Sequence, residues 1–302
     1  MRPVLYSKTM RWATSRMHRL SLTPCRAFVQ TIMQTEIRII QTESNDANGR
    51  NRQEAMFGNA NGYIGVCGTL EEGVPSQFPT MQTIGLTVAG EEFLLWPESG
   101  SESGVPKDRP AGFTEYNDLG QSPSGKKIHI RIRRMVHFLI PELLTIEYEA
   151  EPLNFAGELV FDSYHIPEAA NILESDSSGD GEERFCELIT MDKGFRGDTS
   201  WSLTKIQESD VRIALASRHT VSKEEGEEIV LREEGERLIT RIRIPAQKAE
   251  KVTLFKYITV SDSIRQKDPN THAYSVLKKA ISSDIRDLYE KQSTYLCSVF
   301  PI

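Results

Sequence analysis

From Thr35 onward, apolar and polar residues alternate with a period of two rather than 3.6, and no other feature of the chain constrains its fold as strongly. Residues 127–133 read Lys-Ile-His-Ile-Arg-Ile-Arg, which puts Ile128, Ile130 and Ile132 on one face. The pattern recurs at 144–150, 158–164, 211–216, 228–232, 238–244 and 252–260, and a strand-like run opens at Ile37, Ile39 and Ile40. Successive side chains of a strand point to opposite faces, so each segment offers one face to a core and the other to water. Many such strands separated by polar turns specify a mainly β protein, an antiparallel sandwich or barrel. Two segments, Glu98 to Gly125 and Glu174 to Glu183, are rich in Gly, Ser, Pro or acids and read as solvated loops.

The period changes once. From about Thr271, Tyr274, Leu277, Ile281, Ile285, Leu288 and Tyr289 fall at spacings of three and four, which predicts one amphipathic helix capped near Pro269-Asn270-Thr271. Its apolar stripe needs a cover, either the sandwich or a further helical domain.

Charge distribution narrows the partners. The net charge is −7, yet residues 1–35 hold six bases (Arg2, Lys8, Arg11, Arg16, Arg19, Arg26) and no acid. An acidic body argues against nucleic acid, whose phosphates need concentrated Lys and Arg. The stripe Lys126, Lys127, Arg131, Arg133 and Arg134 reads as a solvated sheet surface. No apolar run approaches the length that crosses a bilayer, so no membrane partner is expected. Cys25, Cys67, Cys186 and Cys297 are widely spaced and read as reduced thiols of a cytoplasmic protein. No metal or other cofactor is expected. The basic start resembles a transit peptide in composition, but Met33 opens a stretch that reads better as a domain start.

The most distinctive stretch is 54–73, EAMFGNANGYIGVCGTLEEG. Asn61-Gly62 suits a turn with positive φ. Tyr63, Ile64 and Val66 supply strand formers, and Gly65 and Gly68 permit a bulge or close backbone approach. These residues alone define a tight, Gly-rich β-turn element. The stretch also resembles the signature near the start of family 65 glycoside hydrolases: an acid, a Phe, then Asn-Gly-Tyr-x-Gly-x-x-Gly and Glu-Glu-Gly. Glu54, Phe57, Asn61, Gly62, Tyr63, Gly65, Gly68, Glu71, Glu72 and Gly73 fall on that pattern as structural positions. Further likeness at 124–136, 146–157 and 254–263 extends the resemblance over residues 35–295.

The family includes maltose, trehalose and kojibiose phosphorylases and some trehalose-type hydrolases. The resemblance therefore implies an antiparallel β super-sandwich of the galactose mutarotase-like kind, followed by a C-terminal linker helix. It divides the chain into a basic extension at 1–34, a sandwich at 35–268 and the linker at 269–302. Members continue into a helical barrel that carries the general acid and the phosphate loop, so no catalytic residue is nominated here. The partners implied are that barrel, a disaccharide and a second copy in a homodimer. Segments 73–78 and 98–125 depart from the family pattern, which implies strands missing there.

Other apparent motifs fail their context. Gly120 to Lys127 nearly spells a phosphate loop, but Lys replaces the final Ser or Thr and a strand follows, so it reads as a turn. Asp176 to Gly181 hints at a calcium loop without the downstream Glu. The six histidines are isolated in sequence. Trp96 and Trp201 are candidates for stacking on sugar rings, with core packing as the competing role. Three functions remain in order of preference: a non-catalytic sandwich with an exposed helical stripe, a free carbohydrate-binding module, and a mutarotase-like enzyme.

Overall fold

The computed structural model describes residues 59–66, 82–92, 94–97, 113–167, 170–172, 185–207, 209–223 and 226–299. In chain order the strands are β1 (Asn59–Ala60), β2 (Gly65–Val66), β3 (Gln82–Val88), β4 (Glu91–Glu92), β5 (Leu94–Pro97), β6 (Phe113–Gln121), β7 (Lys127–Val136) and β8 (Leu143–Pro152). They continue as β9 (Gly157–His165), β10 (Ala170–Ile172), β11 (Phe185–Arg196), β12 (Thr199–Ile206), β13 (Arg212–Val221), β14 (Glu228–Glu234), β15 (Arg237–Ala246) and β16 (Val252–Asp262). Two helices follow, α1 (Pro269–Ile281) and α2 (Ile285–Val299). A large sheet runs β10-β11-β12-β13-β16-β8-β7-β6-β5, and a smaller one runs β14-β15-β9-β3-β4. Every strand pairing is antiparallel.

The sandwich core forms where the alternation predicts. Ile128, Ile130 and Ile132 are 0–1% exposed. With Leu144, Ile146, Tyr148 and Leu254 they face Ile84, Leu159, Phe161, Ile242 and Ile244 of the small sheet. Tyr148 meets Phe161 edge-to-face, centroids 5.6 Å apart. That geometry sets the positive ring edge against the negative ring face. Ser122-Pro-Ser-Gly125 is a turn between β6 and β7, with Gly125 at φ 82°. The near-phosphate loop is therefore a hairpin connection, as its context indicates.

Several expectations change. The segment 98–125 is not one loop, because β6 occupies Phe113–Gln121 and pairs with β7 through nine residues. A strand thus exists where the departure from the family pattern implied a gap. The single terminal helix is two, because Ser282, Ser283 and Asp284 interrupt it. Ser282 donates its hydroxyl to the Lys279 carbonyl, and Asp284 accepts from the Arg286 backbone N–H. Side chains of this kind compete with the helical ladder.

The helical stripe is covered rather than exposed. Ala273, Leu277, Ala280, Ile285 and Leu288 pack on Leu143, Ala214, Ala216 and Tyr257 from the outer face of the large sheet. The two alanines of β13 let α1 lie close to the strand, and Thr259 donates its hydroxyl to the Ala273 carbonyl at 2.9 Å. Asp268 caps α1 by accepting from the Thr271 N–H at 3.1 Å, and Pro269 fills the first helical position.

The basic stripe is only in part a solvated surface: Lys127 is exposed, but the far end of the stripe is not. Arg133 and Arg134 are only 9% and 3% exposed. Arg133 meets Glu147 at 2.6 Å and Arg131 meets Glu149 at 2.6 Å, across the β7–β8 pairing. A buried charge is tolerated only when paired, and register places these partners directly opposite one another. The segment 174–183 and the first strand-like run near Ile37 lie outside the described residues.

Candidate functional site

The Asn-Gly-Tyr turn joins β1 to β2 and sits at one end of the large sheet. Asn61 closes it from within: its side-chain oxygen accepts from the backbone N–H groups of Tyr63 and Ile64 at 2.9 and 2.8 Å. Gly62 holds φ 86°, a left-handed conformation that costs a side chain about 1–2 kcal/mol. A Cβ there would meet nothing within 4 Å, so the glycine is required by backbone shape and not by space.

The other end of the same amide reaches 76 and 80 residues along the chain. Asn61 Nδ2 donates to the carbonyls of His137 (2.7 Å) and Pro141 (3.0 Å). Both belong to the loop 137–142 between β7 and β8. From the opposite side, Gln292 of α2 donates to the Val136 carbonyl at 3.1 Å and accepts from the Phe138 N–H at 3.0 Å. Gln292 is 1% exposed. Two side-chain amides therefore clamp one loop, each using donor and acceptor together. His137 is buried within it and bonds Thr145 Oγ1 at 3.0 Å, and burial pushes its imidazole down to about 3.

Tyr63 completes the seat. Arg265 lies over its ring, 4.5 Å from the centroid, and Arg265 Nη1 donates to Asp262 at 2.5 Å. Burial works to raise the Asp262 carboxyl, but hydrogen bonds from the Arg265 side chain and backbone outweigh it and hold the group below its ordinary value. The Tyr63 hydroxyl is raised by burial and by that carboxylate.

The clamped loop presents Leu139, 48% exposed, beside α2. Leu139, Asp287, Glu290, Lys291, Thr294 and Tyr295 line an open groove of ≈ 530 Å³. On α2, Tyr289 is half-buried near the Arg133–Glu147 pair, and its hydroxyl is raised first by burial and then by Glu147. Among the described residues no cluster of three or more His, Cys, Asp or Glu is arranged to hold a metal. No described helix is long and apolar enough to cross a membrane.

The motif residues divide accordingly. Asn61, Gly62, Tyr63 and Gly65 are brought together in the turn and its second strand. Glu54, Phe57, Gly68, Glu71, Glu72 and Gly73 lie outside the described residues. Trp201 on β12 is half-buried against the α1 cluster, and a Cβ added at Gly194 opposite it would lie 3.7 Å from its indole nitrogen. Trp96 pairs with Leu119 through the backbone of β5, which lies far along the sheet order from the β12 strand that carries Trp201. Sequence reasoning did not find Gln292: a lone Gln on a helix carries no signal of a partner 156 residues away.

The fold is that of a mainly β domain, a two-sheet antiparallel sandwich with a helical pair packed on its larger sheet. The chain belongs to glycosyl hydrolase family 65, whose N-terminal domain matches residues 111–299. It is 27% identical over 296 residues to the α,α-trehalose phosphorylase of Thermoanaerobacter brockii and 24% identical over 294 residues to that of Geobacillus stearothermophilus. Each alignment covers 84% of this chain and 38% of the relative. A solved structure of a candidate kojibiose phosphorylase from the human microbiome shares the fold, with a TM-score of 0.58 at 13% identity, over 85% of this chain and 38% of that one. The chain thus spans well under half the length of these relatives.

Proposed function

We propose that this chain is the non-catalytic sandwich of a phosphorylase acting on α-linked disaccharides, and that it works by supporting a separate catalytic barrel. The observation that carries this reading is the match of residues 111–299 to the family's N-terminal domain. The clamped loop supports it. A surface held from both sides by Asn61 and Gln292, with Leu139 and Tyr295 exposed beside it, is pre-organised to receive another protein surface. Residues 59–66 contact the loop directly, so the family's turn motif acts in holding it. In this reading 269–302 is the connection toward the barrel and 35–268 the sandwich, in cytoplasmic surroundings.

The test uses the full chain, titrated calorimetrically with trehalose, kojibiose and maltose and assayed for sugar phosphate formed from each with inorganic phosphate. The expected outcome is neither binding heat nor product, together with apolar-dye binding that Leu139→Glu removes. Saturable heat would replace this reading with a free carbohydrate-binding module, and Trp96 and Trp201 would be the first residues to substitute. Sugar phosphate formation would overturn it outright.

A further inference from the structure

One end of the sandwich interior is polar. His165 of β9 and His219 of β13 are 1% and 7% exposed, and Lys256 of β16 is fully buried between the sheets. The histidines bridge the sheets in both directions. His165, from the small sheet, bonds Ser200 Oγ at 3.1 Å and Ser202 Oγ at 2.9 Å in the large one. His219, from the large sheet, bonds Ser163 Oγ at 2.8 Å in the small one. Lys256 Nζ, opposite His219 in register, donates to the Tyr164 carbonyl at 3.4 Å, a third link across the same gap.

Each imidazole bridges in its neutral form. On His165 one ring nitrogen donates and the other accepts, so a second ring proton removes the acceptor. On His219 the remaining nitrogen, Nδ1, is buried without a hydrogen-bond partner, so a proton added there would have nothing to donate to. Among the described residues, the charges facing this interior are Lys256 on β16, Arg134 on the inward face of β7 beside Ile146, and, at the rim, Lys193 on β11 with Glu233 of β14 and Glu236 beside it. The elements packed around the histidines otherwise contribute uncharged groups: Ser200 and Ser202 from β12, Gln82 and Ile84 from β3, Thr240 and Leu238 from β15.

We propose that these bonds make the sandwich an acid-released fastening: proton uptake by His165 and His219 parts the two sheets at this end and confines the folded domain to near-neutral and alkaline surroundings. The direction of the titration agrees. Burial, and then the charge of Lys256, push His165 down to about 3 and His219 well below its ordinary value. A depressed folded value means that the unfolded chain takes up the protons. Stability is therefore complete above about pH 6.5 and is lost as pH falls from there toward the folded values. Each histidine raises the unfolding equilibrium constant about tenfold per pH unit through that window.

The experiment is urea unfolding of the full chain between pH 8 and 5, for the wild type, His165→Gln, His219→Gln and the double variant. Each single variant is expected to reduce the dependence of the unfolding constant by about one factor of ten per pH unit, and the double by about two. Variants that fold but keep the wild-type pH dependence would overturn the proposal. Should a variant not fold, imidazole NMR titration of the wild type decides the question. Rings that stay neutral in the folded state down to pH 5 uphold it, and rings that titrate near pH 6.5 while the fold persists refute it.

Discussion

Replacing Asn61 with Ala removes one side chain that makes four hydrogen bonds: two accepted from Tyr63 and Ile64, two donated to His137 and Pro141. A typical intramolecular hydrogen bond contributes about 0.5–1.5 kcal/mol net. Asn61 is half-buried, so water replaces part of what is lost. The expected cost is about 2–3 kcal/mol, from the lower part of that range summed over four bonds. Urea unfolding should show a lower midpoint at unchanged slope, because the surface exposed on unfolding is the same. The loss should also be local. Backbone amides of 138–140 and 142 should exchange faster in Asn61→Ala, while amides in the β7–β8 ladder keep their protection. Asn61→Asp retains the oxygen that accepts from Tyr63 and Ile64 but sets its second carboxylate oxygen against two carbonyl oxygens. At pH 7 it should be at least as destabilising as Ala, which separates a need for the donors from a need for volume. A change below about 0.5 kcal/mol in Asn61→Ala, the level of an ordinary surface substitution, with unaltered exchange in the loop, would refute the clamp.

Two further substitutions probe how the helices are held. Leu277→Ala, at a site 1% exposed between α1 and the alanines of β13, should cost about 2–5 kcal/mol in thermal or urea unfolding. Glu147→Ala leaves Arg133 buried without its carboxylate and should cost about 3–5 kcal/mol, whereas removing both partners with apolar residues of similar volume should cost much less.

The core was legible because its signal is local. Ile128, Ile130 and Ile132 declare a face by spacing alone, and Asn61-Gly62 declares a turn by the φ that only such residues adopt readily. What escaped the sequence depends on distant partners. Arg133 looks like a surface residue until α2, more than 150 residues later, covers it. His165 and His219 are isolated in sequence and meet the same polar interior only through the two-sheet stacking. Strand β6 was hidden for another reason. Phe-Thr-Glu-Tyr-Asn-Asp-Leu-Gly-Gln carries the acids, Asn and Gly of a loop, and it becomes a strand because β7 offers it a full ladder of partners. The interruption at Ser282-Ser283-Asp284 was readable, since Ser and Asp both favour caps over helix interiors.

The strand order of the large sheet carries a consequence for how the chain is made. Strands β5 to β8 and β10 to β13 form two consecutive blocks, and they become one sheet only when β16 slots between β13 and β8. A nascent chain that has not yet delivered residues 252–262 therefore presents two bare inner borders, each a row of unpaired backbone groups ready to recruit strands from a neighbour. The ribosome must travel through most of the domain before either border closes. A stall or cleavage just short of Val252 would yield a sticky intermediate rather than a smaller folded protein.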